Sequence, residues 1–446
     1  MNETNINKLV CVSADCLVKE DHEIRKVAKI VNKLKINDKL KHLYTEGVGR
    51  KGYEPELLVR IALVQVLFKT GSMRATCKLL EDNFAARWFI GLGIFDKVPS
   101  HATVSNAFVN RFDKNFFKNL FTELLIILHD NGVLSVNELF VDSTAVKASS
   151  NKRKIKKEHV LVTIKDYLPE IDQLKETDEV LHERLKDKIG KEPKSKEEYV
   201  EKVVPVTDSD AGIFKKEGHP EMPAYKAHAI SDENGFLTGL DVTAGNVHDS
   251  QGFFGVFNSL PNKIIEEATA LAGDSAYATP EISKTLDDNG IELNSVFPKR
   301  GKQVEYTKDD FKYDEEKDVY ICPNKKTLKL GTVDRKSGRY TYNSKSKDCK
   351  ECPFKAKCTS GKIKQLSFHI HDKYVDKAKK IVGTESHTRI YGKRKHTIEP
   401  IFGTGKTCYN LGETKLRGLI RVKDSIFKFG FVWNILKFIK YAWFNG

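Results

Sequence analysis

The sequence predicts an α/β protein with a helical amino-terminal third, a mixed strand-and-helix core, and two insertions into that core. Three observations predict it. Through residues 21–134 apolar side chains recur at spacings of three and four. Residues 139–146 then switch to a short, β-prone, nearly uncharged run with Asp142 in its middle. From Tyr225 onward, strands, turn glycines and capped helices alternate.

Composition narrows the class. A chain of 446 residues predicts two or three domains. Forty per cent hydrophobic and 30% charged residues suit a globular protein rather than a disordered one. Lys and Arg number 75 against 61 Asp and Glu, a net +14 with a pI near 9.1, which favours a polyanionic partner. Residues 386–446 hold 12 Lys or Arg against three acids, so +9 of the +14 sits there. The most apolar stretch, 426–444, is interrupted by Lys428, Lys437 and Lys440, which argues against a membrane span and for a cytoplasmic chain.

Along the chain, Asp21 is placed to cap a helix carrying Ile24, Val27, Val31 and Leu34, and Leu57, Leu58, Ile61 and Val64 mark the next helix. Short helices over 75–83, 84–92 and 101–111 with tight connections suggest a helix-turn-helix with 101–111 as recognition helix; a plain helical bundle is the alternative. Asp142 is costly in a buried strand unless it is paired or metal-bound. Residues 151–200 read as a helical arm or hairpin: a basic run (Lys152, Arg153, Lys154, Lys156, Lys157), then Leu161, Ile164, Leu168 and Ile171 at helical spacing, with Pro169 breaking or kinking it. The basic run either meets phosphates or is a solvated face. Residues 225–230 and 236–242 form a hairpin about 231–235, with Gly235 supplying positive φ. A helix over 250–260 follows, then a strand over 269–273 ending at Asp274. Thr279-Pro280-Glu281 opens a helix that Gly290 closes, before a strand over 291–297. This order predicts a ribonuclease-H-like (retroviral-integrase-like) core. The expected layout is 1–134 helical, 135–297 core with the 151–200 insertion, 298–386 a cysteine-bearing insertion, and 387–446 core completion with a basic terminal helix.

Acids at the ends of neighbouring core strands, Asp142 and Asp274, suit shared divalent cations, with a third from a helix against the sheet. Glu399 is the candidate. On a continuous helix Lys406 lies about 20° from Glu399 and Lys395 about 40°; Pro400, Gly403 and Gly405 weaken that helix. The chemistry is two-metal: Mg²⁺ or Mn²⁺ ions about 3.5–4 Å apart activate the attacking oxygen and stabilise the leaving one. Asp142 bridges them, and Asp274 and Glu399 each complete one site. Water attack nicks DNA, and attack by a freed 3′-hydroxyl joins it to a target. Tyr277 reads as core or as a stacking residue, and Asp249 as a turn cap or a support for the metals.

Eight cysteines in this length are ordinary, and a reducing compartment disfavours disulfides. Cys11, Cys16, Cys77 and Cys408 are scattered. Cys349 and Cys352 have knuckle spacing, with Cys322 before and Cys358 after; the four either hold a structural Zn²⁺ in a small ribbon lacking a core of its own or stay reduced.

Several blocks together resemble a DDE transposase of bacterial insertion sequences: Gly52-Tyr53-Glu54-Pro55 and 99–112; Phe140-Val141-Asp142-Ser143-Thr144 with Lys147; Tyr225-Lys226-Ala227-His228 through Asn246-Val247-His248-Asp249-Ser250; Ala272-Gly273-Asp274-Ser275-Ala276-Tyr277; Ile398-Glu399-Pro400-Ile401-Phe402-Gly403 with Lys406; and Arg417-Gly418-Leu419 with Val422. The resemblance covers about 400 residues in family order. It implies a Mg²⁺-dependent enzyme that cleaves double-stranded DNA at an element's terminal inverted repeats and joins it to target DNA, working as a homo-oligomer in a synaptic complex. It implies a nucleoid-associated bacterial protein, no membrane partner, four retained cysteines, and DNA contacts by Lys395, Lys406, Lys415, Arg417 and Arg421. This sequence departs from the family in its second glycine, Gly405, and in Lys395, where an Arg is common and Arg394 is one position off. The rival reading is a catalytically inactive or domesticated DNA-binding descendant. A simple nuclease would need neither the end-recognition domain nor the basic terminal segment.

Overall fold

The computed structural model describes residues 13–44, 52–192, 195–218, 220–297 and 305–444; Cys11 lies outside them. The chain is mixed α/β and divides into two compact units, one of residues 1–156, 204–273 and 389–446, the other of 157–203 and 274–388.

In the first unit the amino-terminal helices start at side-chain caps. His22, rather than Asp21, caps Glu23–Lys33 by accepting the Ile24 N–H at 3.1 Å. Ser72, Asn83 and Ser100 cap Met73–Asp82, Phe84–Ile90 and His101–Asn110 in the same way. These helices share one hydrophobic cluster with the sheet: Val31, Leu63, Phe89, Phe117 and Phe121 join Phe140, Tyr225, Phe236, Phe427 and Phe431. The link is the long helix Leu419–Phe444, which packs on Phe116–Asp130 and on the sheet.

The sheet of this unit contains β1 (Glu138–Lys147), β2 (Gly212–Phe214), β3 (Met222–Ser231), β4 (Leu237–Ala244) and β5 (Ala270–Ala272). β1 runs antiparallel to β3 on one edge and parallel to β5 on the other, while β2 and β4 pair with the far edge of β3. The β3–β4 hairpin turns as expected, with Gly235 at φ 78°. Asp232 holds that turn by accepting the Asn234 and Phe236 amides, and the Ser135 amide besides. Burial pushes its carboxyl up to about 7.

Register separates the two faces. Asp142, Ala229 and Leu240 are level across the strands, as are Ser143, His228 and Asp241 on the opposite face. Helix Asp249–Phe257 covers the His228 face, where a Cβ on Gly252 would lie 2.2 Å from the imidazole. Helix Leu419–Phe444 covers the Asp142 face, with Gly430 against Leu240.

The Glu399 segment is a continuous helix, Ile398–Cys408. Pro400 falls in its first turn, where its missing N–H has no helical partner to lose. Gly405 sits where a Cβ would meet Leu411 Cδ2 at 2.7 Å and Phe429 Cζ at 3.3 Å. Lys395, by contrast, belongs to a separate 3₁₀ turn, Arg394–His396, and Thr397 at φ −107°, ψ −82° breaks the path to the helix. The expected 40° relation between Lys395 and Glu399 therefore does not hold.

In the second unit, part of the expected helical arm is strand. Ile155–Thr163 and Glu197–Pro205 form a two-stranded sheet, and only Leu168–Thr177 and Glu179–Leu185 are helical. The helical spacing of Leu161 and Ile164 was incidental, because alternation along Ile155–Thr163 accounts for the half-buried Glu158, Val160 and Val162. Pro169 opens a helix instead of breaking one. The second unit has its own core, in which Tyr167, Ile171, Leu174 and Leu185 pack with Leu328, Tyr340, Tyr342 and Leu366 of a five-stranded sheet. The cysteine region thus has apolar support that a bare ribbon lacks. Among the described residues, no helix is long and apolar enough to cross a membrane.

Candidate active site

Asp142 lies half-buried in β1, and its Oδ1 accepts the Ser143 N–H at 2.8 Å. On the other face the next residue is anchored: Ser143 Oγ donates to Asp249 Oδ1 at 2.7 Å, and Lys226 Nζ donates to the same oxygen at 2.9 Å and to Val247 O at 2.8 Å. Burial works to raise the Asp249 carboxyl, but Ser143 and Lys226 outweigh it and hold it below the ordinary range. Burial also lowers the neighbouring His228 to about 4, so the imidazole is neutral near pH 7. Asp249 therefore clamps β1 to β3 directly behind Asp142. Ser143 and Lys226 stand out in the sequence only as members of the family blocks; the available signal was a lysine inside a largely apolar strand.

β1 is held at its start as well. Glu138 accepts from Arg389 Nη1 at 2.7 Å and from Lys393 Nζ at 2.8 Å, and Lys393 also reaches Glu233 at 2.8 Å. Helix Ile398–Cys408 then packs on β1 and β3, burying Ile398, Ile401 and Phe402 and leaving Glu399 and Lys406 exposed. Its contact with Phe429 puts it on the face of the sheet that carries Asp142.

Asp274 opens the second unit. Its Oδ1 accepts the Ala276 N–H at 2.9 Å, and its carbonyl accepts from Ser295 Oγ at 2.8 Å. Phe140 is level with Ala272 in the parallel pair, so Asp142 and Asp274 each follow two residues after a matched position. Tyr277 is buried. Among the described residues, no three His, Cys, Asp or Glu side chains are gathered so as to hold a metal ion.

Of the cations, Lys406 stays on the exposed face of the Glu399 helix, and Lys395, Lys415, Arg417 and Arg421 are exposed. The exposed side of His101–Asn110 presents Thr103, Asn106 and Asn110. In the second unit, burial raises the Cys358 thiol, and Cys349, Cys322 and Cys352 add to that rise. Donors meet two of the other sulfurs, the Lys326 N–H on Cys322 at 3.3 Å and Asn324 Nδ2 on Cys352 at 3.6 Å, and Cys349 shares a hydrogen bond with the Ser344 hydroxyl at 3.0 Å.

Residues 12–110 match the family model described as Transposase domain (DUF772), and residues 321–439 match Transposase DDE domain. Two separate segments of the chain thus resemble transposase domains. The resemblance read from the sequence blocks to DDE transposases of insertion sequences therefore stands. The DDE-domain match takes in the four clustered cysteines, Glu399 and the five candidate DNA-binding cations; Asp142 and Asp274 lie between the two matches. A crystal structure of a pre-cleavage Mos1 transpososome aligns at 10% identity, covering 62% of this chain and 78% of that one, with a TM-score of 0.16. No curated protein matches the chain.

Proposed function

We propose that the chain is a DDE transposase that cuts element ends in double-stranded DNA and transfers the freed strand into target DNA. The observation that carries this reading is the level register of β1 and β5 two residues ahead of Asp142 and Asp274, with the Glu399 helix laid on β1. Sheet order supports a ribonuclease-H-like core: an acid-bearing strand, an antiparallel hairpin, a helix, then a parallel strand followed by the second acid.

Three carboxylates are a donor set for hard divalent cations. Mg²⁺ is ordinarily held by one or two carboxylates plus substrate phosphates rather than by an all-protein cage. The set therefore fits Mg²⁺ or Mn²⁺ that enters with DNA, and a pair of such ions supplies charge stabilisation at the attacked phosphate. Asp142, Asp274 and Glu399 are the ligands in this reading. The Ser143–Asp249–Lys226 clamp keeps the Asp142 strand in place, and Lys395, Lys406, Lys415, Arg417 and Arg421 bind the DNA backbone. The transposase works in the cytoplasm as a homo-oligomer on paired ends.

The test is Mg²⁺-dependent cleavage of a duplex carrying the DNA ends that flank the gene. Asp142→Ala, Asp274→Ala and Glu399→Ala are each expected to bind this duplex and to lose cutting by at least about a thousandfold. Cutting that survives one substitution removes that acid from the set. A second reading is a DNA-binding descendant without catalysis. Wild type that binds but never cuts in Mg²⁺ or Mn²⁺ decides for it.

Cys322, Cys349, Cys352 and Cys358 are proposed to hold one Zn²⁺, since the other three thiols all lie close enough to Cys358 to act on it and four thiols are a donor set for that ion. Elemental analysis is expected to find one zinc per chain, lost in Cys349→Ser/Cys352→Ser. Because the second unit has its own core, the chelated protein keeps its β signal in circular dichroism and melts earlier. A zinc-free preparation with an unchanged melting point sinks the assignment.

A further inference from the structure

A cleft of about 500 Å³ opens where β1 ends. Lys147, Lys154, Lys415 and Arg417 line it, and Glu413 is its single acid. Lys147 and Glu413 are 4.0 Å apart with side chains 60% and 62% exposed, a pair that neutralises little. The nearby Asp208 and Asp210 are occupied elsewhere, accepting the Gly418 and Leu419 amides at the head of the last helix. Arg417 is oriented by donating from Nε to Ser149 O at 3.1 Å. The strand amides along the wall are also spent, the Lys147 N–H on Gly412 O and the Thr414 N–H on Lys147 O. An anion here meets side-chain cations on an open wall instead of a cradle of backbone N–H groups, which suits a polymer's phosphates better than a small enclosed phosphate.

We propose that this cleft is a clamp for the phosphodiester backbone of duplex DNA, set apart from the reacting phosphate and built by Lys147 and Lys154 together with Lys415 and Arg417. The proposal takes its ligand from the transposase reading.

The experiment is fluorescence-anisotropy titration of the full chain with the flanking-end duplex over a series of salt concentrations. Lys154→Gln/Arg417→Gln is compared with Lys29→Gln/Lys33→Gln, an equal charge loss on an exposed helix. Each lost phosphate contact lowers the slope of log affinity against log salt by about 0.9, so the cleft pair is expected to lose nearly two units of slope and about tenfold in affinity. Lys147→Gln/Lys415→Gln repeats the test without disturbing the Ser149 contact. Inorganic phosphate is expected to compete no better than chloride at equal ionic strength. A scan with single neutral methylphosphonates weakens wild type at a phosphate away from the cut and leaves the cleft pair unchanged there. Cleft pairs that behave like the control, a flat scan, or specific competition by inorganic phosphate overturn the clamp. Wild type that binds without cutting overturns the transposase reading and leaves the clamp to the binding data.

Discussion

At the scale of single residues, the two glycines of the Glu399 helix have opposite meanings. Gly403 has open space around its missing Cβ, whereas Gly405 is pressed against Leu411 and Phe429. Gly403→Ala is therefore expected to stabilise the protein by about 0.5–1 kcal/mol through helix propensity. Gly405→Ala is expected to destabilise it by about 1–3 kcal/mol through overpacking. Urea midpoints check both, and equal effects at the two positions would refute the packing account. The sequence marks both glycines as weak points in a helix. It cannot say which one another element leans on, because Leu411 and Phe429 reach Gly405 only through the fold.

At the scale of elements, the terminal helix Leu419–Phe444 shows why a charge count misleads. Lys428 is buried and donates to Gln65 Oε1 at 2.8 Å, and Lys423 pairs with Asp241. These cations are held inside the fold, so only part of the +9 of the last 61 residues is presented to an outside anion. Burial lowers Lys428 to about 8 and raises Asp424 to about 6. A lysine depressed in the fold binds fewer protons there than in the unfolded chain, so stability rises as pH climbs from about 8 to 10.5. For a raised carboxyl the sign reverses, and stability falls as pH climbs from about 4 to 6. Lys428→Met is expected to abolish the alkaline rise while costing about 3–5 kcal/mol, because Asp424 loses its partner. Asp424→Leu/Lys428→Met restores most of that loss. Denaturation across pH measures both; an alkaline rise that persists in Lys428→Met would remove Lys428 as its source.

Across the whole molecule, what could be read from the sequence was local and what could not was long-range. The Thr279 cap, the Gly235 turn, the acid-bearing strand and the helix opened by Pro280 follow from neighbours within a few positions, and each is present, whereas the cap expected at Asp21 falls to His22. Lys226 and Asp249 as a clamp on β1 and the cleft cations around Lys147 depend on segments up to 270 positions apart in the chain. Asp142 and Glu399 could be singled out as candidates because an acid in an apolar strand is costly and an acid beside lysines is suggestive. The strand pair flanking the Leu168–Thr177 helix was not legible, because its alternation is mixed with charged positions and the spacing of Leu161 and Ile164 imitates a helical period. The first unit closes only with residues 389–446, which supply the helix joining its amino-terminal helices to its sheet. During translation the second unit is complete by residue 388, while the first waits roughly 3–12 s longer at ordinary elongation rates. Until then its apolar helices stand without their central partner on the ribosome. A chain released early would thus lack the core beneath Asp142, and premature termination would leave the second unit folded beside an unfinished first one.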